Sequence, residues 1–307
     1  MSKKVALVRG GISSEKEISL LSAQSLEQAL KDLGWEYEII DAGIDLPKKL
    51  MESRPDVALL ALHGKYAEDG TVQGICEYLK IPYTGSGVLT SALCFNKIYS
   101  KQIFIQNGIP TPAYQVFDLK NQKIEDLQLT IDPPLVVKPS RDGSSVGISL
   151  CESKEEVIAA LKEASQYDQQ ILIEKMIKGI EVTVPMLLGK PLTPIEIHPK
   201  QGFYDYKNKY TQGKTEYILP ARLPEPAMEL CQNLSAKIYQ IMGIRGYCRI
   251  DFMFSSDFKP FALEVNTLPG FTKTSLFPQS AKYDGIEFVQ LVKTLLNAAE
   301  RDYEGVH

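Results

Sequence analysis

From Val5 to Phe95, short apolar runs alternate with stretches whose apolar residues recur at helical spacing. That alternation leaves few architectures open, because strands separated by helices pair in parallel. Val5-Ala-Leu-Val8 reads as a strand, Gly10-Gly11 turns the chain, and Ile18, Leu21, Ser25, Ala29 and Leu33 share a helical face. Ser14 followed by Glu17 has the pattern of a capping box at the start of that helix. Glu36 to Asp41 and Val57 to Leu62 read as further strands, Thr71 to Leu79 as a helix, Ile81 to Tyr83 as a short strand, and Ser86 onward as a helix. A first α/β unit over residues 1–95, built on a parallel sheet, follows.

Beyond it the pattern changes. Asn96 to Gln106 reads as a helix, and Gly108-Ile-Pro-Thr-Pro112 breaks it. The strand Leu135 to Lys138, the loop Pro139 to Gly147, a helix from Lys154 to Ser165 and the strand Ile171 to Glu174 make a second unit, 96–180. The remainder, 181–307, forms a third; a chain of 307 residues is long enough to bury that many cores. The net charge of -4 argues against a nucleic-acid binder. Five scattered cysteines without a CxxC pair suit small core residues in a reducing compartment. The run after Lys3 and Lys4 is too short for a signal peptide, and the longest aliphatic run, Val57 to Leu62, is far below a membrane span. These features point to a cytoplasmic protein that binds neither nucleic acid nor membrane.

Within the third unit, Arg249-Ile-Asp-Phe-Met-Phe254 and Phe261-Ala-Leu-Glu-Val-Asn266 both alternate with period two around a polar turn. Pairing Asp251 with Glu264 sets Arg249 opposite Asn266 and Phe254 opposite Phe261. Ile250, Phe252, Phe254, Phe261, Leu263 and Val265 then share one face, and Arg249, Asp251, Glu264 and Asn266 the other. Three oxygen donors beside a guanidinium suit a hard cation carrying phosphate. A solvated polar face is the bland alternative.

Two further stretches carry chemistry. Val136-Val-Lys138 enters the loop Pro139-Ser-Arg-Asp-Gly-Ser-Ser-Val-Gly147, whose N–H groups and hydroxyls can wrap phosphate oxygens. No Walker A or GxGxxG pattern is present, and a plain connecting loop is the competing reading. His63 follows the strand Val57 to Leu62, at the carboxyl edge where open parallel sheets bind ligands. A structural histidine accounts for it equally well.

Taken in order, Gly10-Gly-Ile-Ser-Ser-Glu15, His63-Gly-Lys-Tyr-Ala-Glu-Asp-Gly70, Tyr83-Thr-Gly-Ser-Gly87, Lys138 to Gly147, Glu174-Lys175, Tyr204-Asp-Tyr206 with Lys209-Tyr210, Arg249-Ile-Asp251 and Glu264-Val-Asn-Thr-Leu-Pro-Gly270 resemble the D-alanine–D-alanine ligases of the ATP-grasp superfamily. The resemblance spans nearly the whole chain; Ala67 departs from the family's usual glycine. It implies a three-domain ATP-grasp fold with an N-terminal parallel-sheet domain and ATP held between the central and C-terminal domains. It also implies ATP and two Mg²⁺ (or Mn²⁺) as cofactors, D-alanine as substrate, a role in peptidoglycan synthesis and a homodimer.

Residue by residue, the resemblance implies that Lys97 and Lys138 contact ATP phosphates under a loop carrying Ser144 and Ser145. Glu174 and Lys175 meet the adenine and Glu181 the ribose, while Asp251, Glu264 and Asn266 hold the ions. Glu15, supported by Ser144 and Tyr210, orients the ammonium of the first D-alanine. Lys209, Ser275 and Leu276 receive the carboxylate of the second. Arg249 and the N–H of Gly270 are the implied oxyanion donors, and His63 assists positioning or proton traffic. The stretch His198 to Tyr217, rich in tyrosine and lysine with Gly202 and Gly213 as hinges, reads as a lid over the site. A ligase joining D-alanine to D-lactate is the nearest alternative, and Tyr210 favours the dipeptide maker. A catalytically silent nucleotide-binding regulator is the alternative of another class.

Overall fold

The computed structural model describes residues 3–143, 146–199, 215–272 and 274–303. Strand β1 (Val5–Gly10) lies between β2 (Tyr37–Ala42) and β3 (Val57–Leu60), and both pairings are parallel. Val5 to Val8 are fully buried because helices cover the sheet, which is why this strand reads as a continuous apolar run. Helix α1 (Lys16–Leu33) follows, then α2 (Leu46–Ser53), α3 (Thr71–Tyr78) and α4 (Val88–Phe95). The expected capping box does not form, since Glu15 occupies the cap position of α1 and makes no side-chain cap bond. Ser13 donates its hydroxyl to the carbonyl of His63 at 2.7 Å, which ties this helix entrance to the neighbouring loop. Ile81 to Tyr83 is not a strand but isolated bridges at Tyr83, parallel to Ala58 and antiparallel to Glu300, because Pro82 has no N–H to extend the ladder.

Helix α5 (Lys97–Gln106) leads into the second sheet, ordered β4 (Tyr114–Asp118), β7 (Gln170–Lys175), β5 (Leu135–Pro139), β6 (Ser149–Cys151), with antiparallel pairs throughout. Helix α6 (Lys154–Ala164) packs Val157, Leu161 and Ala164 against Val137, Ile171 and Ile173. The third sheet runs β11 (Thr215–Ile218), β10 (Ile195–Pro199), β8 (Gly179–Leu187), β12 (Tyr247–Ser255), β13 (Pro260–Asn266), with the short β9 (Lys190–Pro191) beside β8. Helix α7 (Glu225–Ile241) covers it through Cys231 and Ile238. Helices α8 (Leu276–Tyr283) and α9 (Phe288–Asn297) return to the first core, where Phe277, Leu291 and Leu295 pack with Leu26, Leu30 and Leu59. All five cysteines are buried free thiols, and burial pushes Cys76 up to about 12.

The stretch His198 to Tyr217 is not structureless at its ends, since β10 and β11 pair with His198 opposite Glu216 and Pro199 opposite Thr215. Its interior, 200–214, including Gly202 and Gly213, lies outside the described residues. In the hairpin, Arg249 pairs with Asn266 and Asp251 with Glu264 as expected, but a bulge then shifts the register and Phe254 meets Pro260, not Phe261. An extra residue reverses the facing of everything beyond it. Ala262, not Phe261 or Leu263, therefore joins Ile250, Phe252, Phe254 and Val265 in the core, and Leu263 turns into the cleft beside Glu264.

Candidate active site

A cleft opens between the second and third sheets. Its walls are apolar (Val136, Ile148, Met176, Ile177, Met253, Leu263), and Lys97, Lys138, Glu174, Lys175, Glu181 and Glu264 supply its charge. Flat apolar walls with a few charged groups suit a planar base carrying an ionised tail. Lys97, the first residue of α5, is held at the cleft because Asn96 caps that helix, accepting from the N–H groups of Ile98 and Tyr99. Its ammonium donates to the carbonyl of Asp142 at 2.7 Å and lies 3.0 Å from a Glu264 oxygen. Burial works against that ammonium, but the charges of Glu264, Asp142 and Glu68 outweigh it and hold Lys97 above the ordinary lysine value.

Lys138, near the end of β5, donates to Oε1 of Glu174 across the β5–β7 pair. Oε2 of Glu174 forms an ion pair with Lys101 at 2.8 Å. Burial alone would raise the Glu174 carboxyl; the two ammoniums prevail and keep it below the usual range. Lys175 lines the same wall, but its ammonium donates to the carbonyls of Asp132 and Pro133 at 2.8 and 3.0 Å, so only its stem and backbone face the cleft. Glu181, opposite Met253 on β12, stands at the far wall.

The polar face of the hairpin is closed by a fork. Arg249 donates Nε to Oδ1 of Asp251 at 3.0 Å and Nη2 to Oδ2 at 2.9 Å, while Thr183 on β8 donates its hydroxyl to Oδ1. Asn266 accepts the N–H of Leu268 at 3.0 Å, which starts the turn toward Gly270 and leaves its amide oxygen a second lone pair. Among the described residues no three of His, Cys, Asp and Glu cluster as a metal site, so a cation here needs the Asn266 amide as its third donor. Two carboxylates and an amide oxygen on paired strand positions are a donor set that fits a hard divalent ion. The Lys97 and Arg249 charges balance those carboxylates.

The N-terminal unit supplies the mouth of the site. A side chain at Gly64 would place its Cβ 2.6 Å from a Glu15 carboxylate oxygen, and one at Gly143 would place it 3.0 Å away. Glu15 therefore sits between the His63 loop and the Gly143 end of the Gly/Ser loop. Positive φ falls on Gly64, Tyr66 and Gly70 but not on Ala67, so alanine fits where glycine is usual. His63 is buried, with Nδ1 3.0 Å from the carbonyl of Leu268 and Nε2 3.2 Å from the Ser22 hydroxyl. A carbonyl only accepts, so Nδ1 donates to Leu268. Ser22 in turn accepts the N–H of Phe271 at 3.2 Å. His63 and Ser22 thus grip both sides of Gly270, whose backbone leaves no room for a side chain, since a Cβ would lie 2.8 Å from Ser275 Oγ.

Ser275 precedes α8 and Leu276 is its first residue, so the Leu276 N–H is free of helical bonding while its side chain is buried with Ile195 and Ile197. Sequence reasoning thus lands on Glu15, His63, Lys97, Lys138, Glu174, Glu181, Arg249, Asp251, Glu264, Asn266, Gly270, Ser275 and Leu276 around one connected region. Ser144, Ser145, Lys209 and Tyr210 lie outside the described residues. It passed over Ser22, Lys101, Thr111, Asp142 and Thr183. Lys101 alone had a signal, one turn beyond Lys97 on a helix with few other charges.

Two antiparallel sheets closing on a lysine-lined cleft, with a parallel-sheet unit at its mouth, make this an ATP-grasp fold. The D-alanine–D-alanine ligase of Bacillus anthracis, solved in complex with ATP, matches it with a TM-score of 0.84 at 36% identity over 97% of each chain. VanG, the D-Ala:D-Ser ligase of Enterococcus faecalis, matches with a TM-score of 0.83 at 30% identity, over 97% of this chain and 99% of its own. The family models for the D-ala D-ala ligase C-terminus and N-terminus match residues 103–297 and 44–86. The D-alanine–D-alanine ligase of Syntrophotalea carbinolica is 46% identical over 297 residues, 97% of this chain and 96% of that protein. That of Geotalea uraniireducens is 45% identical over 298 residues. The chain belongs to the D-alanine–D-alanine ligase family.

Proposed function

We propose that this protein joins two D-alanines into D-alanyl-D-alanine at the expense of ATP, supplying peptidoglycan synthesis. The observation that carries the reading is one cleft lined by Lys97, Lys138, Glu174, Glu181 and Glu264, in a chain whose relatives perform this ligation. ATP lies with its base between the apolar walls and its phosphates toward Lys97 and Lys138. Glu181 takes the ribose, and Glu174 with the Lys175 backbone takes the adenine edge. Asp251, Glu264 and Asn266 would hold two Mg²⁺ (or Mn²⁺), which when bound neutralise phosphate charge.

Glu15, with Ser144 and Tyr210, orients the ammonium of the first D-alanine so that its carboxylate attacks the γ-phosphate. ADP leaves and an acylphosphate forms. Ser275, the N–H of Leu276 and Lys209 receive the carboxylate of the second D-alanine, a role that a free N–H at a helix start suits. Its amine attacks the acyl carbon, loses a proton, and expels inorganic phosphate from a tetrahedral intermediate. Arg249 and the N–H of Gly270 meet the oxyanion. His63 acts through position, as its two ring nitrogens are both engaged by protein groups. The three units 1–95, 96–180 and 181–307, a cytoplasmic location and a homodimer belong to the same proposal. No helix among the described residues is long and apolar enough to cross a membrane.

The test is ADP release by the purified protein with ATP, Mg²⁺ and a panel of D-alanine, D-serine, D-lactate and L-alanine, with products weighed by mass spectrometry. D-alanine alone should give the dipeptide. A preference for D-alanine with D-serine or D-lactate would move the chain to an altered-substrate ligase, and no ADP release with any pair would remove the ligase reading. Light scattering should return twice the mass of one chain.

A further inference from the structure

Lys101 is a lysine with no assigned part in the chemistry, and its side chain is completely buried, 0% exposed. It sits on α5 one turn after Lys97. Its ammonium donates to the Thr111 hydroxyl at 2.6 Å and forms the ion pair with Oε2 of Glu174, and it lies 5.7 Å from the centre of the Tyr114 ring. Thr111 donates its own proton to the carbonyl of Ala262 at 2.7 Å, so its lone pair is what faces Lys101. One helix therefore steadies both walls of the cleft, Glu264 through Lys97 and Glu174 through Lys101.

The charge balance is the informative part. Glu174 is one carboxylate set between two ammoniums, Lys101 behind and Lys138 in front. If Lys101 were absent, the whole Glu174 charge would fall on Lys138. With Lys101 present the trio keeps one surplus positive charge, and that surplus stands at the cleft end because the Lys101 end is sealed.

We propose that Lys101 is a positioning residue for nucleotide binding, which balances the Glu174 charge from within the protein so that Lys138 can turn from Glu174 to a phosphate. This rests on the reading of the cleft as a nucleotide site. The trio sets two ammoniums on one carboxylate in a nearly dry place, so Lys138 shares Glu174 with Lys101 instead of neutralising it alone, and a phosphate competes for it more easily. Burial does push Lys101 itself down to about 8, the cost borne by the sealed end.

The test compares the parent, Lys101→Met, Glu174→Gln and the double variant, by calorimetric binding of ATP with Mg²⁺ and by competition with inorganic tripolyphosphate. Tripolyphosphate has no base, so any contact of Glu174 with adenine drops out. Lys101→Met should weaken both ligands by about tenfold or more, the loss of one charge-assisted contact, with KM for D-alanine within about twofold. Glu174→Gln should hold tripolyphosphate at least as tightly as the parent, and Lys101→Met with Glu174→Gln should recover most of the loss. A merely structural lysine predicts a double variant as weak as Lys101→Met or weaker, and that result overturns the proposal. Should Lys101→Met not fold, Glu174→Gln decides alone, since weaker tripolyphosphate binding there refutes the competition for Lys138. A parent that binds no ATP removes the nucleotide reading itself, a different result from a parent that binds and a Lys101→Met that binds equally.

Discussion

Arg249 spends two N–H groups on Asp251 and is nearly buried in doing so, so its guanidinium is fixed to within the tolerance of a forked pair. Arg249→Lys keeps the charge and loses the plane. Turnover should fall by two orders of magnitude or so, about 3 kcal/mol of transition-state stabilisation, while ATP binding without D-alanine changes little. Steady-state rates and calorimetry together check this, and a lysine variant as fast as the parent would remove the oxyanion role. Ser22 offers a second test at the same scale, because one hydroxyl serves both Phe271 N–H and His63. Ser22→Ala should cost about 1–3 kcal/mol of stability and lower kcat more than it raises KM for ATP, since the Gly270 backbone loses one of its two grips. If melting temperature drops and kcat does not, the grip serves folding alone.

At the level of elements, α5 carries Lys97 at the cleft and the sealed Lys101 behind it from one capped start. Asn96→Ala frees the N–H groups of Ile98 and Tyr99 and should cost about 1 kcal/mol in urea unfolding, with a rise in KM for ATP from a looser Lys97. An unchanged midpoint would show that packing, not the cap, fixes the helix. The strands and helices that build the sheets were legible because burial writes a period of two or of three to four into the sequence. Asp251 and Glu264 were legible for the same reason, since they face each other across a hairpin whose near half keeps register. The far half was not, because an inserted bulge residue such as Leu263 leaves alternation on each side intact and changes only which face it means. Ser14 with Glu17 misled because Glu15, not Ser14, takes the cap position, and the neighbouring Ser13 hydroxyl goes to the His63 carbonyl, which local spacing cannot reveal. Ser22, Asp142 and Thr183 were hidden likewise, each joining elements remote in the chain.

Across the whole molecule, buried carboxylates answered by basic groups recur in the second and third sheets, and they set how the fold responds to acid. Asp168 accepts from Arg141 and Ser140 beside β7, Glu174 faces Lys101 and Lys138, and Glu196 on β10 accepts a fork from Arg222 at 3.0 and 2.5 Å. Burial pushes Asp168 and Glu174 upward and their partners more than reverse it; for Glu196 the Arg222 hydrogen bonds are the largest influence. All three thus hold their protons less well folded than unfolded. Such a group contributes its full stability above its unfolded value, about 4, and loses it as pH falls through the lower folded value, because protons then favour the unfolded chain. Urea midpoints should therefore stay level from pH 7 to about 5 and fall steeply below about 4. Glu196→Gln separates this from general charge repulsion. It should cost about 1 kcal/mol at pH 7, a modest figure because the Arg222 side chain is 58% exposed. The cost should be smaller at pH 3 than at pH 7, because the stability contributed by a carboxylate with a lowered folded value is lost as pH falls. A penalty equal at both pH values would show that Glu196 acts by shape rather than charge, and that the acid limb has its origin in other groups.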